Sequence, residues 1–213
     1  PGYFSTHDGE WAIVRLAEMQ REIKDLQFPP RWADYLNHGY GYPLFNFAYP
    51  FPYYVGFIFS KLGFGLTGSI KALFVLSVIL SSIFMYFLGK SLVNQYAGFI
   101  AAVFYIVAPF RSVDLYVRGS VGESLALALF PLLFYISIKY IVKPGALAAG
   151  LMSLIFAILI LTHNVTALLF FPVWGLFFLT LVISYSEDVI YYSWRYLLPV
   201  ILLGMALSAF FLL

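Results

Sequence analysis

In 213 residues the chain is 62% hydrophobic, 21% aromatic and only 10% charged, whereas a soluble domain carries about a quarter of its residues charged. A water-soluble fold is therefore excluded, and a net charge of +2, scattered along the chain, gives nucleic acid nothing to bind. Cysteine is absent, which removes disulfide frameworks, thiolate metal sites and thiol catalysis.

The chain starts on Pro1 rather than Met and stops inside the apolar run Tyr196 to Leu213. Both ends read as cut, with a span expected before Pro1 and more chain after Leu213. Nearly half of the charged residues precede Pro43. Within that stretch, Glu10 to Leu26 predicts an amphipathic helix. Ile13, Leu16, Met19, Ile23 and Leu26 recur at the three-four spacing of one apolar face. Arg15, Glu18, Arg21, Glu22 and Asp25 fill the other face, with Arg15/Glu18 and Arg21/Asp25 at pairing distance. Phe28-Pro29-Pro30 ends it, because proline breaks the hydrogen-bond ladder and disfavours a helical predecessor. Such a helix is expected to lie along a membrane surface.

Gly39-Tyr-Gly-Tyr-Pro43 and Tyr49-Pro-Phe-Pro52 are aromatic, rigid and poor in regular structure. Tyr53 to Leu62 is apolar but too short for about 30 Å of hydrocarbon, so it reads as an interfacial or re-entrant helix. Spans follow at Ser69 to Leu88, Tyr96 to Pro109, Glu123 to Ile141, Ala146 to Leu161 and Val165 to Ile183, with a last one starting at Tyr196. The fold expected is an all-α polytopic membrane protein in two parts. Residues 1–64 form an outer loop carrying amphipathic and interfacial helices, and 65–213 form a bundle of about six spans. Lys90, Lys139, Lys143 and Arg195 fall at alternate span ends and assign those ends to the cytoplasm. Span parity then puts Asp8, Glu10, Asp114, Arg118, Glu123 and His163 together on the outer face.

Ionisable residues at membrane depth are costly and mark functional sites. Three constellations qualify. In His7-Asp8-Gly9-Glu10 a carboxylate precedes a helix, where it serves either as a general base or as a helix N-cap. In Arg111 to Glu123 two arginines bracket Asp114. Their planar forks suit a phosphate, although snorkelling to headgroups accounts for Arg111, and Glu123 is at home at a helix start. Thr162-His163-Asn164 interrupts apolar sequence, which membrane depth tolerates only where protein or a wet cavity satisfies the backbone. It reads either as cavity lining or as a plain outer hairpin. No P-loop, Rossmann fingerprint, zinc His pair or nucleophile elbow is present.

Together with Thr6-His-Asp-Gly-Glu10, Phe28-Pro-Pro-Arg-Trp32, Gly39-Tyr-Gly-Tyr-Pro-Leu-Phe-Asn46, Ala108-Pro-Phe-Arg111, Asp114-Leu-Tyr-Val-Arg-Gly119 and Thr162-His-Asn164, the chain resembles the GT-C class of integral-membrane glycosyltransferases. Within that class it is similar to bacterial and archaeal membrane proteins labelled "6-pyruvoyl-tetrahydropterin synthase-related". The resemblance implies a GT-C-like helix bundle in the plasma membrane, with its active face extracytoplasmic. It implies sugar transfer from a polyprenyl-phosphate donor to a glycan, lipid or protein acceptor. Asp8 would be the catalytic acid of the first outer loop, with Glu10 as helper, although the family's adjacent acidic pair is here split by Gly9. Arg118, His163 and Arg111 would hold the donor phosphate, supported by His7, Asp114, Glu123 and Asn164. Some members of the class use a divalent metal, so Mg or Mn on Asp8 and Glu10 is a further expectation. The alternatives are a lipid or sugar transporter and a non-catalytic membrane assembly protein.

Overall fold

The computed structural model describes residues 2–3, 5–185, 195 and 197–212. Among these the chain is helical, with no strand beyond an isolated bridge between Ala33 and Tyr42. Four helical runs are long and apolar enough to cross a membrane: Phe51–Leu92, Gln95–Arg118, Val121–Val142 and Asn164–Ser184. The span expected to begin at Tyr196 has its first residue outside the described residues.

Helix α1 is Gly9–Lys24. Ala12, Leu16 and Met19 are buried along it, as the three-four spacing requires. It ends earlier than predicted. The Gln27 amide donates to the Glu22 carbonyl at 2.9 Å and Leu26 turns left-handed, at φ 62. Closing the last turn in this way throws Leu26 out of the apolar face, and it is 90% exposed. The opposite face also departs from expectation. Glu18 and Glu22 are buried, at 2% and 3% exposure, because the loop carrying Ala33, Leu44 and Phe45 folds onto the core around α1. Glu18 pairs with Arg21 at 2.5 Å, and neither predicted pair, Arg15/Glu18 or Arg21/Asp25, forms.

After α2 (Leu44–Phe47), α3 (Phe51–Phe59) continues through a wide helical turn, Ser60–Phe64, into α4 (Gly65–Leu92). The stretch read as a separate interfacial piece is thus joined to the first long span, with the bend taken at Gly63 and Gly65, φ 94 and 66. Positive φ of this kind is open to glycine at no steric cost. Helix α5 (Gln95–Val107) returns beside α4, and Gly89 and Gly98 allow the approach. A Cβ on Gly98 would collide with the Tyr86 carbonyl, so the two backbones touch as small residues permit in membrane helix pairs.

Pro109 was predicted to close this span. Instead it opens α6 (Pro109–Val113), because a proline at the first helical position forfeits no hydrogen bond. The helical path runs on through Asp114–Arg118, and only Gly119 and Ser120 separate it from α7 (Val121–Val142). Helices α8 (Ala146–Thr162), α9 (Asn164–Tyr185), α10 (Leu198–Leu207) and α11 (Ala209–Leu212) complete the described bundle.

Two cores result. One joins α1, its covering loop, α3, α4 and the start of α7, through Leu16, Met19, Tyr53, Leu73 and Val121. The other joins α7 to α10 around Trp174, which is fully buried, stacks on Phe156 at 5.2 Å and donates its indole N–H to Ser137 at 2.9 Å. The start of α7 and the α8–α9 break meet where these cores adjoin.

Candidate functional site

The segment ahead of α1 is held by main-chain atoms. His7 N donates to the Val117 carbonyl at 3.0 Å and Asp8 N to the Arg118 carbonyl at 2.8 Å. Gly119, at φ 70, passes so close to Thr6 that a Cβ there would strike the threonine hydroxyl. Residues more than a hundred positions apart are thereby placed side by side. The Asp8 side chain makes no cap bond. Thr6 supplies it instead, its hydroxyl accepting from the Gly9 amide at 3.0 Å. The Asp8 carboxylate, exposed and relieved of capping, lines a chamber of about 890 Å³.

Arg15, Trp11, Tyr49, His163 and Asn164 share that chamber with Asp8. Tyr49 contacts both Arg15 and His163: the Arg15 guanidinium lies 5.9 Å from its ring centroid and the His163 ring 4.9 Å. Gly122 makes room for it, since a Cβ there would strike both the Tyr49 ring and the Thr162 carbonyl. His163 caps the start of α9 from the break: its Nδ1 accepts from the Thr166 amide at 3.2 Å and meets the Thr166 hydroxyl at 2.6 Å. Burial pushes the His163 imidazole below its ordinary range, the nearby Glu123 opposing and Arg118 and Arg15 adding to the shift.

Other predicted residues gather beside the chamber without lining it. Arg118 meets Glu123 at 2.5 Å and Asp114 at 3.8 Å. Asp114 is fully buried, and its Oδ2 accepts from the Ser124 hydroxyl at 2.5 Å while its carbonyl takes the Gly119 amide at 2.8 Å. This network ties the end of the Asp114–Arg118 turn to the start of α7. Arg111 is buried at 9% exposure against the Tyr105 ring, 5.5 Å away. His7 and Glu10 are exposed and contribute nothing to the chamber wall. Asp8 and Glu10 thus do not present one donor set to the cavity, and no group of three or more His, Asp or Glu among the described residues is disposed to hold a metal ion.

Arg15 is the residue that sequence reasoning missed. Its place on the polar face of α1 marked it as a solvated partner of Glu18. The covering loop, which periodicity does not reveal, turns that face into a chamber wall. A second, apolar groove of about 420 Å³ begins where the chamber ends. Asn164 and Val165 belong to both cavities, and Phe156, Ile160, Leu168, Phe171 and Met205 of α8, α9 and α10 carry the groove onward. No family model, no curated protein and no solved structure matches the chain.

Proposed function

We propose that this chain belongs to an integral-membrane glycosyltransferase of GT-C type, moving a sugar from a polyprenyl-phosphate donor to a hydroxyl acceptor at the extracytoplasmic face of the plasma membrane. The observation that carries this reading is a pair of adjoining cavities of different character, which share Asn164 and Val165. The polar part holds an exposed carboxylate, Asp8, with Arg15 and His163, and the apolar part runs between membrane helices. A ligand with a charged, sugar-bearing head and a long aliphatic tail matches both parts, as binding sites match shape and polarity together.

In the reaction Asp8 takes the proton of the acceptor hydroxyl as its oxygen bonds to the anomeric carbon. The bond from that carbon to the phosphate oxygen breaks, and the electron pair leaves on polyprenyl phosphate. Fixed donors aimed at that oxygen favour the transition state over the bound donor. Incubating the full-length protein with a panel of polyprenyl-phosphate sugars and a hydroxyl acceptor tests this. Labelled sugar on the acceptor and free polyprenyl phosphate are the expected products. Passage of intact donor across a vesicle membrane, with the sugar–phosphate bond unbroken, assigns the chamber to transport instead.

Orientation has its own test, made clean by the absence of native cysteine. Ser5, Ser112 and Asn94 are all exposed. Single cysteines at Ser5 and Ser112 are expected to react with an impermeant thiol reagent from outside, and one at Asn94 only after permeabilisation. Labelling of Ser5 and Asn94 from the same side sinks the assignment of the chamber to the outer face.

A further inference from the structure

The cations near the chamber differ in what already neutralises them. Arg118 faces two carboxylates, and Arg111 is packed on Tyr105 away from the cavity wall. Arg15 lines the cavity with no carboxylate in ion-pair range among the described residues. Its Nη1 donates to the Tyr53 hydroxyl at 3.3 Å, while its Nε is sealed from solvent without a partner. A guanidinium held in this way, with donors to spare, is built to receive an anion.

His163, packed against the same Tyr49 ring, has only one protonation pattern open to it as a neutral ring. An amide N–H can only donate, so the Nδ1 that accepts from Thr166 is the bare nitrogen, and the ring proton sits on Nε2. No described residue hydrogen-bonds that Nε2. His163 therefore offers the chamber a fixed N–H donor.

We propose that Arg15 and the Nε2–H of His163 form the anion site of the chamber, that Thr166 positions that proton, and that the anion is a phosphate ester. Taking this phosphate as that of a lipid carrier rests on the function proposed above. In that reaction the pair receives the phosphate oxygen as its bond to the sugar breaks, while Asp8 handles the acceptor proton. His163 then acts as a donor throughout and never as the base.

Equilibrium binding of radiolabelled polyprenyl phosphate to the full-length protein in detergent tests the site without any sugar. Arg15→Gln and His163→Ala are each expected to weaken binding about 10- to 100-fold, the range of one charge-assisted hydrogen bond or two. Arg15→Lys keeps the charge without the fork and should recover part of the loss. His163→Gln retains an N–H donor at similar reach and should likewise bind better than His163→Ala. These conservative variants keep the result readable where a truncation fails to fold. Thr166→Val should weaken binding and Thr166→Ser restore it. The ¹⁵N signature of the imidazole, identified by its loss in His163→Ala, should report the Nε2–H tautomer in the native protein and also in Thr166→Ser and Thr166→Val, which keep the amide that donates to Nδ1.

Three results overturn the proposal: an Nδ1–H tautomer in the native protein, polyprenol competing as well as polyprenyl phosphate, or native affinity in Arg15→Gln with loss in Arg118→Lys. Inorganic phosphate competing as strongly as the lipid phosphate would keep the site but remove the lipid source. Tight binding through Arg15 and His163 by a protein that transfers no sugar would keep the site and reject the transferase reading.

Discussion

Asp8→Asn should lower sugar-transfer turnover by at least about 10², the scale of a general base's contribution, while leaving the thermal midpoint close to native. The two outcomes separate because of how α1 begins. Asp8 gives the helix only its carbonyl, which accepts from the Ala12 amide at 3.0 Å, and asparagine supplies the same carbonyl. The side-chain cap belongs to Thr6. Thr6→Val should therefore show the reverse pattern at α1, a stability loss of about 1 kcal/mol from the missing cap, measured by thermal unfolding in detergent. Normal turnover in Asp8→Asn would place the catalytic acid elsewhere.

Glu22→Gln should stabilise the protein at pH 8 and flatten its stability profile between pH 4.5 and 8. Burial, together with the charges of Glu18 and Asp34, pushes the Glu22 carboxyl up from 4.5 to about 8, although a hydrogen bond with the Arg31 backbone opposes the shift. Both of its oxygens are sealed from solvent, as are one oxygen of Glu18 and the Tyr54 hydroxyl on α3. Arg21 is engaged by Glu18. Below about pH 4.5 the group is protonated whether the chain is folded or not, and its stabilising share is fully present. As pH rises the unfolded chain releases the proton first, so stability falls until the folded carboxyl ionises near 8. The loss is at most about 5 kcal/mol, at about 1.4 kcal/mol for each pH unit between the two values. Glutamine cannot ionise and escapes it. Unfolding midpoints from pH 5 to 9 that run parallel in native and Glu22→Gln protein would show that Glu22 is charged in the fold.

What the sequence disclosed follows from which physical rule each feature obeys. The long helices α4, α7 and α9 were legible because apolar length alone determines them in a bilayer. The face of α1 bearing Leu16 and Met19 was legible for a related reason, since periodicity states which residues lie on one side. Periodicity does not state what covers the other side. Glu18 and Glu22 were therefore read as solvated when a loop some fifteen residues downstream buries them, and Arg15 was paired with Glu18 when it lines a cavity. Arg118 looked available because Glu123 lies five positions further on, and no helix brings such a pair together. The left-handed Gly119 does, by folding the chain back between them. Aromatic Tyr49 carried no sequence signal of its role, because its place beside Arg15 and His163 depends on the space left by Gly122, far along the chain.

The pairing of residues 7 and 8 with 117 and 118 uses amides and carbonyls only. Such a join is indifferent to side-chain identity, so those four positions can change their chemistry without sliding past one another. The permissive positions and the intolerant ones are therefore neighbours. Gly9 and Gly119 admit no Cβ against Thr6, and a drifting sequence that kept those two glycines and the hydroxyl would keep the register even after losing the acid. A chain with the seam intact and position 8 altered would still present the same carbonyls, the same chamber outline and a different reagent at its edge.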